Sequence, residues 1–120
     1  GNLLVVDTGN KRVEEFSPNG AFLAQFGGIG AGAGQFDEPV GIAVDKNGNI
    51  YVADTWNKRV QVFDKKFNYL RDWSVEGWDS QSVVNKPYLA VAANGDVYVT
   101  DPEGYRVLVF YNNGKIKAVF

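Results

Sequence analysis

The chain has 120 residues, 45 % hydrophobic and 14 % aromatic, which is enough apolar material for one packed domain and too much for a disordered segment. Twelve Lys and Arg stand against fourteen Asp and Glu for a net charge of −2, so no cationic stripe is available for a phosphate backbone. Cysteine and histidine are absent, which removes disulfides, thiolate and imidazole metal sites and the commonest general base from these residues.

Position 1 is not methionine and already reads as the middle of a pattern, so we expect a piece of a longer protein. Residues 1–26 read as three short strands. Gly27, Gly28, Gly30, Gly32 and Gly34 follow, and Gly28 to Ala33 fits the loose dinucleotide fingerprint G-x-G-x-x-A. That fingerprint needs a helix directly after it, and none is expected here, so the dinucleotide reading fails. The stretch reads instead as a flexible crossing from an outer strand to the next inner one.

"GIAV" (41–44) and "IYVAD" (50–54) then flank "DKNGN", where Asn47-Gly48 is expected to supply the positive-φ residues of a hairpin. "RVQVF" (59–63) and "YLRDW" (69–73) complete a four-stranded unit A-B-C-D. A second crossing, residues 74–86, leads to another such unit, whose outer strand "KIKAVF" carries Lys115 and Lys117 as edge lysines that discourage sheet-to-sheet pairing. No apolar run approaches the roughly 20 residues that cross a bilayer.

"GNLLVVDTGNKRVEEF" (1–16), "GNIYVADTWNKRVQVF" (48–63) and "GDVYVTDPEGYRVLVF" (95–110) share one register, spaced 47 residues apart. A β-rich period of roughly 40–50 residues is the mark of propeller blades. "PVGIAVDKNGNIYVADTWNKRVQVFD" (39–64), with its lead-in "GQFDEP" (34–39), resembles an NHL repeat, and weaker copies flank it. The resemblance implies an all-β fold, a β-propeller of four-stranded antiparallel blades, usually six, that serves as a binding platform. The expected blades are 1–26 (B-C-D, without strand A), 39–73 and 87–120, joined by 27–38 and 74–86. The third copy departs from the pattern: Ala92 stands for Asp45, and "DPEGY" replaces "DTWNK". A three-blade arc leaves two apolar faces to cover, by a head-to-tail dimer closing a six-bladed ring or by the rest of a longer chain.

In such a blade the B-C turns and the D-to-A crossings emerge at one end. There Trp56, Trp78, Tyr88 and Tyr105 break the repeat and form the candidate ligand-binding surface, with Asp79, Glu76 and Glu103 as acidic neighbours; the alternative is that the rings seal gaps between blades. Asp7 and Arg12, Asp54 and Arg59, and Asp101 and Arg106 recur in every copy. They read as structural pairs bonding each other and the B-C turn, since a site used once has no reason to repeat.

The favoured function is a non-catalytic scaffold binding a protein, peptide or glycan, with no cofactor, no metal and no catalytic residue in this segment. Six-bladed propellers similar to this family also include zinc-dependent lyases and calcium-dependent lactonases. The first are disfavoured by the missing histidines; for the second, Asp45 is the one inner-strand carboxylate, and unseen blades would supply the rest. RNA binding, known for some NHL propellers, would need a patch built on Lys11, Arg12, Lys58 and Arg59. The composition is compatible with an extracytoplasmic sensor or scaffold.

Overall fold

The computed structural model describes residues 1–79 and 84–120. Its strands form three antiparallel meanders. β1 (Leu3–Asp7), β2 (Arg12–Phe16) and β3 (Phe22–Gly27) make the first sheet. β4 (Pro39–Val44), β5 (Ile50–Asp54), β6 (Arg59–Phe63) and β7 (Tyr69–Ser74) make the second. β8 (Leu89–Val91), β9 (Val97–Asp101), β10 (Arg106–Phe110) and β11 (Ile116–Val119) make the third.

The sequence repeat is a repeat of hydrogen-bond register. Asp7↔Arg12, Asp54↔Arg59 and Asp101↔Arg106 open the same ladder in the three sheets. A register shift follows at Glu15/Phe16, Val62/Phe63 and Val109/Phe110, where each chain turns toward its outer strand. The turn leading from β1, β5 and β9 ends on one left-handed residue, Lys11, Lys58 or Tyr105, with φ of 57°, 57° and 52°. The divergent "DPEGY" turn therefore keeps that left-handed position.

The hairpin between β4 and β5 is built differently from the expectation. Gly48 has φ of 85°, but Asn47 is not left-handed. Asp45 does the shaping instead: its Oδ1 accepts the N–H groups of Asn47 (2.8 Å) and Asn49 (3.0 Å), and its Oδ2 accepts from the Asn49 amide (3.1 Å) and the Tyr51 hydroxyl (3.2 Å). Burial pushes its carboxyl up, yet the bonds from Asn49 and Asn47 hold it below its ordinary value. Asp45 is thus committed to its turn.

β5 is apolar up to Asp54 because it is covered on both faces. Ile50 and Val52 pack with Leu4, Val6, Val13 and Phe26 of the first sheet; Tyr51 and Ala53 pack with Val97, Val99, Leu108 and Phe110 of the third. Burying each large side chain contributes roughly 1.5–3 kcal/mol, so these two interfaces dominate the favourable side of folding. Each crossing adds a plug: Phe36 in the first interface and Trp78 in the second.

Candidate functional site

The turn between β5 and β6 meets both crossings at one end of the molecule. Its anchor is Arg59, whose Nε donates to Asp54 Oδ2 at 2.8 Å; the Asp54 side chain is fully buried and that of Arg59 is 12 % exposed. The guanidinium also donates to the carbonyls of Ala31 (3.1 Å), Gly32 (2.8 Å) and Gln35 (2.9 Å). Buried Gln61 accepts from the Gly34 N–H (3.0 Å) and donates to Gln35 O (2.6 Å). Asp54 and Arg59 thus bond each other, and the backbone that Arg59 binds is that of the crossing. In the B-C turns, the expected partner, the structure shows such a contact at Asp101, which accepts the Gly104 N–H at 3.1 Å.

The glycine stretch is accordingly tied down, not flexible by design. Gly28 donates to Lys11 O and Phe36 N–H donates to Gly28 O, both at 2.7 Å. Gly27 has φ of 114°, and a Cβ there would lie 2.7 Å from the Phe36 ring, so glycine is what lets Phe36 seat.

The lead-in Asp37-Glu38 lies against the same turn. Asp37 N–H donates to Asp54 Oδ1 (2.7 Å), the Thr55 hydroxyl donates to Glu38 O (2.7 Å), and Trp56 N–H donates to Asp37 O (3.0 Å). Glu38 has φ of 60°, an unusual conformation for a residue with a side chain. Its two carboxylate oxygens take Lys11 Nζ at 2.8 Å and Lys86 Nζ at 2.7 Å. These bonds, Lys11 first and Lys86 second, outweigh burial and hold the carboxyl below its usual range.

Both ammonium groups also lie over the Trp56 ring, 5.4 and 5.3 Å from its centroid. The indole N–H of Trp56 is buried and has no hydrogen-bond partner among the described residues, as is also true of Trp73. Trp56 borders a narrow crevice, partly open to solvent, with Thr55, Trp78, Pro87, Pro102 and Glu103 around it.

The structure separates the aromatic residues named from sequence. Tyr105 is 95 % exposed and Tyr88 57 %, so both present surface. Trp78 does not: it is 4 % exposed and donates its indole N–H to Thr100 O at 3.0 Å, which makes it a seal between sheets that shows only at the cleft. Trp56 is half-buried. Asp79 is exposed and lies 3.6 Å from Lys58, while Glu76 contributes its carbonyl to Arg106 at 3.2 Å. The 74–86 crossing holds positions 80–83, which lie outside the described residues. The basic residues considered for RNA each face a carboxylate: Lys11 to Glu38, Arg12 to Asp7, Lys58 to Asp79 and Arg59 to Asp54.

Sequence reasoning missed Glu38 and Lys86. Their signal was present: "DEP" (37–39) and "NKP" (85–87) are the two lead-ins, and Glu38 against Lys86 is a charge reversal at equivalent places. Among the described residues, no group of three or more Asp or Glu could hold a metal ion, and no helix is long and apolar enough to cross a membrane.

Residues 36–63 match the NHL repeat model. The RING finger protein nhl-1 of Caenorhabditis elegans is 48 % identical over 46 residues, 38 % of this chain and 5 % of that protein. A streptogramin B lyase structure superposes on 98 % of this chain and 36 % of its own, with TM-score 0.71 and 16 % identity. A catalytically inactive His→Ala form of virginiamycin B lyase from Staphylococcus aureus, with quinupristin, superposes on 100 % of this chain and 37 % of its own, with TM-score 0.72 and 14 % identity. The chain thus carries an NHL repeat, has the β-propeller fold, and spans about a twentieth of the curated relative and a little over a third of these structures.

Proposed function

We propose that this NHL-repeat propeller segment is a non-catalytic platform that engages a protein or peptide through the end bearing Trp56 and Tyr105. One observation carries the reading: the Trp56 ring lies beside a cleft under Lys11 and Lys86, which Glu38 fixes in turn. A ring fixed before binding loses little entropy on contact. Proline and aromatic walls with Glu103 at the rim suit a peptide carrying an apolar or cationic side chain.

The test is selection of displayed peptides on the immobilised chain, alongside a glycan panel. Peptides that bind saturably and are lost on Trp56→Ala or Tyr105→Ala, with melting of the Tyr105 variant unchanged, support the reading. Glycans with the same dependence would move the partner class. Binders indifferent to both substitutions would overturn the site.

The competing reading, a propeller enzyme, is favoured by the lyase likenesses, which at these identities speak for the fold. This chain contains no histidine, whereas one of those lyases is inactive as a His→Ala form. A carboxylate centre would need residues from further blades, because Asp45 is occupied by its own turn.

A further inference from the structure

Asparagine precedes glycine at 19–20, 47–48, 94–95 and 113–114, each time at the same place in a five-residue turn. In these turns the glycine N–H donates to the carbonyl three residues before it, at 2.9, 3.1, 2.9 and 2.9 Å, and the glycine φ is 89°, 85°, 92° and 93°. Glycine has no Cβ to shield its nitrogen. The backbone is therefore nearly the same four times, and the side chains make the difference.

They differ in which group takes the N–H two residues after the asparagine. In two turns the first residue takes it: Ser17 Oγ accepts from Ala21 at 3.1 Å, and Asp45 Oδ1 accepts from Asn49 at 3.0 Å. The other two turns begin with Ala92 and Tyr111, whose side chains do not accept it, and the asparagine does so itself. Asn94 Oδ1 takes the Asp96 N–H and Asn113 Oδ1 takes the Lys115 N–H, both at 3.0 Å.

Such a bond closes a ring like that of a β-turn, with Cβ where a backbone nitrogen would stand, and folds Cγ back toward the glycine nitrogen inside the ring. The N–H on the oxygen also faces the negative charge that forms there when the carbonyl carbon is attacked. At Asn94 the amide nitrogen is tied to Asp96 Oδ2 at 3.2 Å. That of Asn113 has no partner among the described residues, and the residue after Gly114 is the cation Lys115.

We infer that Asn113 is a site of self-modification, at which the Gly114 nitrogen converts the asparagine to isoaspartate and aspartate. Solvent hydroxide takes the Gly114 N–H proton as that group leaves Tyr111 O. The nitrogen bonds to Asn113 Cγ, the Cγ–Nδ2 bond breaks, and Nδ2 takes a proton from water and departs as ammonia, which regenerates the hydroxide. Water then opens the cyclic imide. Addition at Cγ gives aspartate; addition at the main-chain carbonyl carbon gives isoaspartate, whose chain runs through Cβ and Cγ. The isoaspartate lengthens the backbone between Asn112, whose carbonyl accepts from Arg71 Nε at 2.7 Å, and Gly114, which leaves room for the Trp73 ring. The change thus falls on the interface between the second and third sheets.

Incubation of the folded chain at neutral to mildly alkaline pH tests this, read by peptide mass mapping and by labelling with an isoaspartate-specific carboxyl methyltransferase. Asn113 should lose its amide first and Asn94 next, with Asn19 and Asn47 slower than Asn113 by about tenfold, the worth of about one hydrogen bond. In urea that unfolds the chain the four rates should converge, because the turns that separate them are gone. Tyr111→Asp and Tyr111→Ser copy Asp45 and Ser17 into the turn, so each should take over the Lys115 N–H and slow Asn113 toward the rate of Asn47. Asn19 or Asn47 keeping pace with Asn113 in the folded chain overturns the proposal. So do a spread of rates that persists in urea, an Asn113 that keeps its amide when folded, and Tyr111 variants that both react like the parent.

Discussion

Between the first and second sheets, Phe26 stacks on Phe67 with ring centroids 4.6 Å apart and 23° between planes. Between the second and third, Trp73 stands in the place of Phe26 and Gly114 in the place of Phe67, each 47 residues on. A Cβ on Gly114 would lie 2.7 Å from the Trp73 ring. One interface divides its volume between two medium rings; the other gives it to one large ring and removes the side chain opposite. The plugs differ in the same way: Phe36 touches Phe26 and Phe63 edge-on, whereas Trp78 fills the second interface and ties its N–H to the third sheet. The backbone repeats, and each interface is closed by residues that do not.

The largest effects should come from the first interface and its clamp. Phe36→Ala empties a fully buried site and should cost about 3–5 kcal/mol by urea denaturation. Arg59→Ala should cost about as much, because the fully buried Asp54 would lose its ion-pair partner. Arg12→Ala, the same change in the first sheet, removes a pair whose side chains are 35 % and 25 % exposed, and should fall in the small range of solvent-screened pairs. Equal losses at Arg12 and Arg59 would mean that the crossing contacts add nothing.

Gly114→Ala probes the second interface. Its φ of 93° disfavours any side chain, and the Trp73 ring blocks the Cβ, so a loss of about 2–3 kcal/mol is expected. Gly20, at the same turn in the first sheet, has φ of 89° with nothing within 4 Å of a Cβ, so Gly20→Ala should cost about 1 kcal/mol from backbone strain alone.

Glu38 links the two crossings and gives a pH signature. Its carboxyl is held below the ordinary value near 4.5, so the unfolded chain takes up that proton first. The stabilisation is whole above about pH 4.5 and is lost as pH falls through the lower folded value. Glu38→Gln should cost about 1 kcal/mol near neutrality, and the gap in Tm between it and the parent chain should close below pH 4.5.

How much of this was legible in the sequence follows from the distance over which each feature is set. Strand identity and register were legible, because Asp7, Asp54 and Asp101 head hairpins whose partners lie five residues away. The clamp was half legible: the pairing of Arg59 with Asp54 is local, but its carbonyl partners lie 24 to 28 residues back in a crossing whose glycines suggested slack. The burial of Trp78 could not be read, since it depends on Thr100 and the third sheet closing over it. Trp56 was legible as a repeat-breaking ring, but its setting was not: Lys86 comes from another sheet's lead-in, with Glu38 between them.

The smallest effect is the most specific test of how volume is divided. Phe67 has φ of 71° where Gly20 and Gly114 stand in the other sheets, so its backbone bears a strain of about 1–2 kcal/mol that its ring must outweigh. Phe67→Gly removes that strain but also the stack on Phe26, worth about 0.5–1.5 kcal/mol beyond burial, and loosens the unfolded chain. The net loss should be about 1 kcal/mol. Phe26→Trp alone should also destabilise, because the larger ring meets Phe67 in a filled space. Together the two changes copy Trp73 and Gly114 into the first interface, so the double variant should lose less than the sum of the singles, with a coupling of about 1 kcal/mol in a double-mutant cycle. Simple additivity would mean that the two interfaces are not alternative packings of one backbone, and that Phe36 or Phe63 sets the ring size that Phe26 can take.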